Sequence, residues 1–515
     1  PSLIRASLRQ RLIVLAFAVI GLMFGLRGIQ NLSVDAFPDV TNIQVQIATD
    51  AAGKSPDEVE RLITVPLEIA MTGLPGLEEL RSLNKNGLSL ITLVFNDDTD
   101  VYFARQLVME RMMEVKDKLP PAITPVLGPV STGLGEIYQY TLNAEGDDKA
   151  GELSQEVLMA RRTIQDWMVR PLLRGIPGVA EINSQGGYQR EYHVLADPTR
   201  LMHYQIGLAE VLQALEKNNA NAGGGILQQH AEQYLVRGLG LIEDLDDIGN
   251  IVLKEVDGIP IYIRDVAKVE IGHAVRVGAV IQNGTTEAVG GIVMMLRGGN
   301  AKEVVSRIQD RVKEINDTGM LPDGLKIVPY YDRSELVDAA LFTVVKVLLE
   351  AIVFVIIIVV LFLGDLRSSL IVVGTLLLTP LITFFVMNEV DLSANLMSLG
   401  GLAIAIGLMV DGSVVVVENA YARLGDPANK HESRIRVIFN AASEVATPVV
   451  FGVGIIILVF LPLMTLEGME GKMFAPLAYT IAIALTVSLV LSLTLTPVLA
   501  SYMLKGGAEH DTRLV

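Results

Sequence analysis

The sequence contains no cysteine in 515 residues, and only 5% of its residues are aromatic. Without thiols it can form neither disulfide bonds nor thiolate metal sites. No nucleotide-binding motif occurs in the sequence either. The glycine triplet Gly223-Gly224-Gly225 is not followed by lysine and serine or threonine, so it predicts a hinge and not a phosphate-binding loop. The six histidines lack the spacings typical of metal ligands. We therefore expect a protein that is not an enzyme and holds no tightly bound cofactor.

The sequence also lacks clusters of positively charged residues. The formal net charge is −17, and no cluster of lysine and arginine offers a face for phosphate groups. This charge balance speaks against nucleic acid, so we expect no nucleic-acid partner.

Apolar residues, in contrast, are abundant, with 51% hydrophobic residues and a mean hydropathy of +0.45. This composition is too apolar for a soluble protein of this length. Six apolar runs can cross a lipid bilayer, so we predict an α-helical membrane protein with six transmembrane helices. Prolines are expected to break the last two runs. The runs cover residues 12–26, 341–363, 370–387, 396–417, 438–464 and 474–503.

The cationic residues outside these runs are predicted to share one side of the membrane with the arginine-rich N-terminus. By the positive-inside rule this side is the cytoplasm. We expect the first run to be retained, because no A-x-A cleavage site follows it. The long segment 34–336 then lies on the opposite side. The cationic residues are Arg367, Arg423, Lys430, Arg434, Arg436 and Lys505.

The segment 34–336 has the pattern of an α+β domain. Strand-like and helix-like stretches follow each other in the β-α-β-β-α order of a ferredoxin-like unit, at 42–48, 55–71, 78–83, 88–95 and 101–119. The plan recurs at 136–143, 154–173, 179–184, 191–196 and 208–218. Short strands and turns then predict an inserted β-rich subdomain. The stretches 286–297 and 301–317 are expected to close the second unit around it.

The fourth apolar run carries one carboxylate, Asp411, in its interior. An ionised carboxylate at a helix centre in hydrocarbon costs at least about 2.5 kcal/mol, so Asp411 is a candidate functional residue. Glu418 follows seven residues later on nearly the same helical face. Two alternatives stay open, namely a static ion pair for Asp411 and a Glu418 side chain that reaches the interface. Gly401 and Ala405 also predict a close helix neighbour.

Two methionines, Met397 and Met409, precede Asp411 in this run. Their thioether sulfurs suit soft cations such as Cu(I), although methionine in a membrane helix more often serves as packing. Lys346 and Glu350 lie one turn apart in the second run and are predicted to neutralise each other.

Four stretches carry a resemblance to a known family: the large segment after the first run, 35–40 (DAFPDV), 401–419 and 465–480 (TLEGMEGKMFAPLAYT). They resemble the resistance-nodulation-division (RND) transporters, and most closely the heavy-metal efflux branch. The resemblance covers essentially the whole chain. It implies this division: 1–33, cytoplasmic N-terminus and first transmembrane helix; 34–130, first porter subdomain; 131–335, second porter subdomain with a docking insertion at about 185–270; 336–505, the other five transmembrane helices; 506–515, a tail.

The same resemblance implies a function. It predicts a cation/proton antiporter of the bacterial inner membrane, with its large domain in the periplasm, that exports heavy-metal cations. It also implies a homotrimer with a periplasmic membrane-fusion adaptor and an outer-membrane channel. Carried over residue by residue, Asp411 matches the proton-relay aspartate and Glu418 its second acid. Met397 and Met409 match an ion path, and Arg81 matches a charged residue of the porter cleft.

This sequence departs from the family pattern in two ways. Ala405 stands where the cobalt-zinc-cadmium type has an aspartate, as in the copper/silver type, yet Val416 and Leu485 replace methionines of the latter. Copper and zinc both stay open. The family has twelve spans, so the resemblance implies a C-terminal half or second polypeptide that supplies six more. The alternatives are an accessory six-span subunit of a hetero-oligomer, or an exporter of organic amphiphiles, which the low aromatic content disfavours.

Overall fold

The computed structural model describes residues 2–35, 37–121, 123–147, 152–230, 232–256, 258–363, 366–429 and 431–504. The predicted tail 506–515, Lys430 and Lys505 lie outside these residues. Six helices within these described residues are long and apolar enough to cross a membrane, as predicted. We name them span 1 (Arg11–Asn31), span 2 (Arg333–Leu363), span 3 (Leu366–Glu389), span 4 (Leu396–Gly425), span 5 (Arg434–Met464) and span 6 (Gly468–Met503).

Spans 3, 4 and 6 form the centre of the bundle, and spans 1, 2 and 5 pack around them. Glycines set the closest approaches. A Cβ atom on Gly25 of span 1 would lie 2.7 Å from the Leu381 carbonyl oxygen of span 3. A Cβ atom on Gly401 of span 4 would lie 2.6 Å from the Leu477 carbonyl oxygen of span 6. The close helix neighbour predicted beside Gly401 is therefore span 6. A short helix, Ser2–Arg9, precedes span 1 and packs on spans 5 and 6.

The prolines do not break spans 5 and 6, and that expectation is wrong. Pro448 and Pro462 lie inside one continuous helix, and Pro476 and Pro497 lie inside the other. A membrane helix tolerates proline because neighbouring helices and small local adjustments satisfy the freed backbone groups.

The first α+β unit follows span 1. Its four strands are β1 (Ile43–Asp50), β2 (Leu77–Lys85), β3 (Leu88–Phe95) and β4 (Pro125–Leu127). They form an antiparallel sheet in the order β2-β3-β1-β4, the order of the β-α-β-β-α-β plan. Its helices are Pro56–Val59, the π-helical turn Glu60–Thr64, Val65–Met71, Val101–Val115 and the 3₁₀ turn Lys116–Lys118. Apolar side chains of β1, β3 and these helices form one core.

The second unit has the same strand order. Strands β5 (Glu136–Asn143), β6 (Val179–Gly186), β14 (Thr286–Met295) and β15 (Lys326–Asp332) pair as β6-β14-β5-β15. The short strand β13 (Val280–Gln282) extends the pairing of β14. Its helices are Gln155–Ile164, the π-helical turn Gln165–Val169, Arg170–Arg174, Ala301–Thr318 and the 3₁₀ turn Pro322–Gly324. β15 ends at Asp332 and span 2 begins at the next residue.

One strand prediction for this unit is wrong. Strand β7 (Arg190–Ala196), expected next to β6, pairs instead with β12 (Ala267–His273). β14 takes the central place because nearly all of its side chains are buried on both faces, whereas those of β7 are half-exposed. The helix Ala301–Thr318 likewise takes the place expected for 208–218. The stretch between β6 and β14 is therefore the insertion.

The insertion is built from short strands and helices. Its strands, besides β7 and β12, are β8 (Ala222–Gln229), β9 (Glu232–Gly238), β10 (Val252–Val256) and β11 (Ile259–Tyr262). Its helices are Pro198–Tyr204, Leu208–Lys217, Leu245–Gly249 and Ile263–Val266. The triplet 223–225, predicted to be a hinge, lies within β8. It forms an irregularity of the β8-β9 hairpin, where Gly225 has φ +80°.

Candidate functional site

Span 4 begins at a well-defined cap. The Asn395 side-chain oxygen accepts hydrogen bonds from the Met397 and Ser398 N–H groups, both at 3.0 Å. The Ser398 hydroxyl in turn accepts from the Asn395 N–H at 2.9 Å. These reciprocal bonds form a capping box that satisfies the first amides of the helix. The cap therefore fixes where span 4 starts.

One face of span 4 is sealed by its neighbours. Gly401 lies against the span 6 backbone, and Met409, Ser413 and Val416 are buried. The Ser488 hydroxyl of span 6 donates to the Met409 carbonyl oxygen at 3.1 Å. The Thr375 hydroxyl of span 3 donates to the Ser413 hydroxyl at 3.2 Å. These two bonds join spans 3, 4 and 6 at mid-helix.

The opposite face of span 4 is uncovered. It carries a row of exposed residues at helical spacings of three and four: Ile404, Gly407, Asp411, Val415 and Glu418. We call these five residues the acidic row. Its two carboxylates lie about 10 Å apart along the helix axis, given a rise of 1.5 Å per residue. Within the described part of the chain, neither carboxylate takes part in an ion pair or hydrogen bond. The static ion pair considered for Asp411 is therefore not formed by these residues.

The acidic row cannot face lipid at low cost. Ionisable side chains in membrane spans usually face a bundle interior or a water-filled path and pair with other groups there. The row therefore requires a cover of protein or water that the described residues do not provide. Span 4 thus carries two carboxylates on a face that the described residues leave open.

The structure does not bring the two methionines together. Met397 is half-buried at the start of span 4, and Met409 is buried on the face opposite Asp411, packed among apolar side chains of spans 3, 4 and 6. They lie about 18 Å apart along the helix axis. They do not share a metal site. In the residues that the structure covers, no three His, Asp or Glu side chains form a metal-binding group.

Arg81 lies far from the acidic row, in the soluble part of the chain. It is on the edge strand β2, where its guanidinium is exposed and lies 3.7 Å from the Glu79 carboxylate. In span 2, the Lys346 ammonium lies 3.9 Å from the Glu350 carboxylate, the pairing expected from their spacing, and both side chains are exposed.

Sequence reasoning missed a row of buried threonines on span 3. The Thr379 hydroxyl donates to the Thr375 carbonyl oxygen and the Thr383 hydroxyl to the Thr379 carbonyl oxygen, both at 2.8 Å. Because each hydroxyl is satisfied within its own helix, the row can be buried in an apolar bundle. The spacing of four residues between these threonines was the sequence feature that could have predicted the row.

Sequence reasoning also missed the ion pairs at the ends of the spans. The buried Arg333 guanidinium donates to the Asp35 carboxylate from Nη2 at 2.8 Å and from Nε at 3.0 Å, and Nη1 donates to the Leu134 carbonyl oxygen. At the other end of the bundle, Arg423 of span 4 lies 2.9 Å from Glu444 of span 5. The sequence shows opposite charges that flank different apolar runs, but it does not show which of these charges form ion pairs.

Comparisons with known proteins agree with this architecture. The model of the AcrB/AcrD/AcrF family matches residues 3–515. Protein HelA of Legionella pneumophila and the cobalt-zinc-cadmium resistance protein CzcA of Cupriavidus metallidurans are each 45% identical, over 514 and 521 residues. The cation efflux system protein CusA of Escherichia coli K12 is 40% identical over 512 residues. These alignments cover 99%, 100% and 98% of this chain but 48% of each relative. The chain therefore spans about half the length of the curated relatives it matches.

Solved structures give the same result. A crystal structure of a heavy metal efflux pump matches 97% of this chain and 48% of its own, with a TM-score of 0.83 and 35% identity. A second crystal form of a heavy metal efflux pump gives a TM-score of 0.84. Together with the six spans and the two α+β units, these matches confirm the predicted resemblance. The chain belongs to the AcrB/AcrD/AcrF family of resistance-nodulation-division transporters and groups with its heavy-metal efflux members.

Proposed function

We propose that this chain forms part of a proton-driven exporter of heavy-metal cations, with Asp411 as the main proton carrier. The acidic row is the observation that carries this proposal. It holds two carboxylates on an uncovered face of a helix whose other face is closely packed. Carboxylates in such a place are typical of proton relays in membrane transporters.

The cover of the acidic row is proposed to come from a C-terminal half or a second polypeptide with six further spans. The chain spans about half the length of its relatives, which leaves a segment of comparable size to supply that cover. A cation on the covering helices would neutralise Asp411 when it is ionised. Asp411 and Glu418 would then face a protein interface and not lipid.

Proton exchange would work through that interface. A proton that arrives from the side of the soluble domain binds a carboxylate oxygen of Asp411 and cancels its charge. The attraction to the covering cation is lost, so span 4 and its packed neighbours shift relative to the cover. Glu418 lies about two turns further toward the opposite side and would receive the proton on its way out. This shift would cause the soluble domain to open or close.

Heavy-metal cations are the substrate class that the relatives favour. CzcA is named for cobalt, zinc and cadmium resistance, and another relative, CnrA of Cupriavidus metallidurans, for nickel and cobalt resistance. Copper and zinc are both candidates here. An ion path along Met397 and Met409, and a role for Arg81 in the porter cleft, stay predictions. Their separation in the structure means that each methionine would act as an individual step.

The assembly is proposed to be that of a tripartite pump in the bacterial inner membrane. The units 34–130 and 131–335 would be porter subdomains in the periplasm, and the insertion would be the docking subdomain for a second copy, the adaptor and the outer-membrane channel. The β8-β9 hairpin supports a protein partner for the insertion. Its strands pair only with each other among the described strands, and it exposes the apolar residues Ile226, Leu227, Leu235 and Val236.

The test is transport in inverted membrane vesicles from cells that lack their own heavy-metal exporters and produce the pump containing this chain. With an acidic lumen imposed, we expect uptake of Zn²⁺ or Cu⁺ that a protonophore abolishes. Asp411→Asn should abolish uptake, because the amide cannot carry a proton. Glu389→Gln is the matched control, since it removes one carboxylate at the exposed end of span 3.

Full uptake by Asp411→Asn would reject the proposed function. If uptake required the chain but not Asp411, this chain would be an accessory six-span subunit. If a fluorescent organic cation were exported and no metal were, the amphiphile alternative would hold.

A further inference from the structure

Residues 37–42, which lead into the first sheet, form a short segment without regular secondary structure. We call residues 37–42 the strap. It ends immediately before β1, and the Thr41 N–H donates to the Asp39 carboxylate at 3.0 Å. The strap is the backbone connection between the membrane bundle and the first unit. A segment without regular secondary structure transmits movement poorly by itself.

Two cationic side chains from distant parts of the chain bind the end of the strap. Arg297, two residues beyond β14, donates to the Asn42 and Thr41 carbonyl oxygens at 2.7 and 2.8 Å. Lys472, in the first turns of span 6, lies 3.3 Å from the Thr41 carbonyl oxygen and 3.3 Å from the Asn42 side-chain oxygen. The strap end is therefore held by the second unit and by a membrane helix at once.

Lys472 also binds the first unit directly. Its ammonium lies 2.5 Å from the Asp97 carboxylate, two residues after the end of β3. Strands β1 and β3 are paired there, with Ile43 opposite Phe95. The lysine thus contacts the ends of the two central strands of the first sheet. A displacement of span 6 at this point acts on the sheet and not only on a loop.

Span 6 connects this contact to the helix that carries the acidic row. It has 36 residues, or about 54 Å at 1.5 Å per residue, so its first turns extend beyond a hydrocarbon core of about 30 Å. Lower down it packs on span 4, with Gly401 against Leu477 and the Ser488 hydroxyl on the Met409 carbonyl oxygen. One continuous helix therefore touches both span 4 and the first sheet.

We infer that Lys472 is a positioning residue that makes the first unit follow span 6, so that a change at Asp411 reaches this part of the soluble domain. The inference rests on the proposed function. The second unit needs no such side-chain link, because β15 runs directly into span 2. The direct backbone connection of the first unit to the bundle runs through the strap, which is why a lysine at the top of span 6 matters there.

A purely structural ion pair is the competing explanation. Lys472 is 20% exposed and Asp97 is 52% exposed, and pairs this open to water stabilise a fold little. Removal of the lysine should therefore leave the protein folded. This separates an effect on transport from an effect on stability.

The experiment measures movement of the first unit in the full pump. These 515 residues contain no cysteine, so spin labels can be placed on Ser82→Cys in β2 and Lys313→Cys in the helix Ala301–Thr318, both exposed. We expect the distance between the labels to change when the pH is lowered from neutral to mildly acidic. Lys472→Gln should abolish this change and lower transport at least about fivefold, the lower end of typical coupling between sites. Lys472→Arg should retain both.

Lys302→Gln is the matched control. The Lys302 ammonium also lies 2.5 Å from a carboxylate, that of Asp338, but it joins the second unit to span 2, with which that unit is already continuous. We expect its distance change and its transport to match those of the unmodified protein. Asp97→Asn should have a smaller effect than Lys472→Gln, since the two strap oxygens remain as acceptors for the lysine.

Each outcome decides between the possibilities. An unchanged distance response in Lys472→Gln would overturn the inference, whether or not transport fell. A normal response and normal transport in Asp411→Asn would instead reject the proposed function itself. Loss of both properties in Lys472→Gln, with both retained in Lys472→Arg and Lys302→Gln, would support the positioning role.

Discussion

Two aspartates, one in the soluble domain and one in the membrane bundle, have opposite surroundings. Asp147 accepts hydrogen bonds from two nitrogens of Arg161 at 2.7 and 2.8 Å, and the pair is 16% and 7% exposed. Asp411 has no such partner among the residues described and lies on an open helix face. A carboxylate whose bonding capacity is used up holds a fold together, whereas an unsatisfied one inside a membrane is available for exchange. The comparison predicts which substitution damages stability and which damages activity.

The largest effect is expected for Asp411→Asn. We expect loss of metal transport with unchanged unfolding of the soluble domain, because within the described residues the Asp411 side chain makes no contact that the amide would remove. Transport and thermal unfolding of the same detergent-purified preparation check this. A large fall in melting temperature would mean that Asp411, like Asp147, is a structural group.

The second effect is expected for Asp147→Asn. It leaves the buried Arg161 guanidinium without its counter-ion, and removal of one partner of a buried pair costs about 3 kcal/mol or more. We expect this loss in the unfolding free energy of the soluble domain, with unchanged transport per folded molecule. The neighbouring exposed Glu145→Gln is the control and should change little. Equal stability of both variants would contradict the structural role.

A smaller effect on activity is expected for Glu418→Gln. If the acidic row is a relay, loss of the second carboxylate should slow transport about a hundredfold, the lower end of the range typical of one proton-transfer group. Glu418→Asp should restore part of the rate. Vesicle uptake at matched protein levels measures both. A transport rate equal to that of the unmodified protein would mean that the Glu418 side chain reaches the membrane–water interface and contributes only to solubility.

The smallest effect concerns pH. Burial alone would raise the pKa of Asp147, but hydrogen bonds from Arg161 and the Ala144 N–H outweigh it and hold the pKa below its ordinary value of 3.8. The stabilisation is therefore complete above the unfolded-state value and is lost as the pH falls through the lower folded-state value. The stability difference between the unmodified protein and Asp147→Asn should shrink below about pH 4. Unfolding curves at neutral and acidic pH test this, and a constant difference would contradict it.

Prediction from the sequence was most successful for features that depend on the geometry of a single helix. Apolar length alone predicts the six spans, and the seven-residue spacing places Asp411 and Glu418 on one face, as observed. Both conclusions depend only on the geometry of a single helix. The choice of β14 over β7 depended on pairing across an insertion of about a hundred residues, for which a local pattern carries no information.

Contacts between distant segments were likewise beyond the sequence. Lys472 and Asp97, or Arg333 and Asp35, are hundreds of residues apart, and their charges alone do not select partners. Closeness in the sequence likewise does not show which way a side chain faces. Met397 and Met409 lie on one helix, and Met409 is buried on the face opposite Asp411, while their ion path stays a prediction.

The pair of Arg333 and Asp35 joins the two places where the chain passes between bundle and soluble domain. The departing and returning strands of the polypeptide are thereby pinned at a common point. A shared anchor of this kind would act as a pivot for the soluble domain, and the separate contact of Lys472 with Asp97 would then set the direction in which the domain turns.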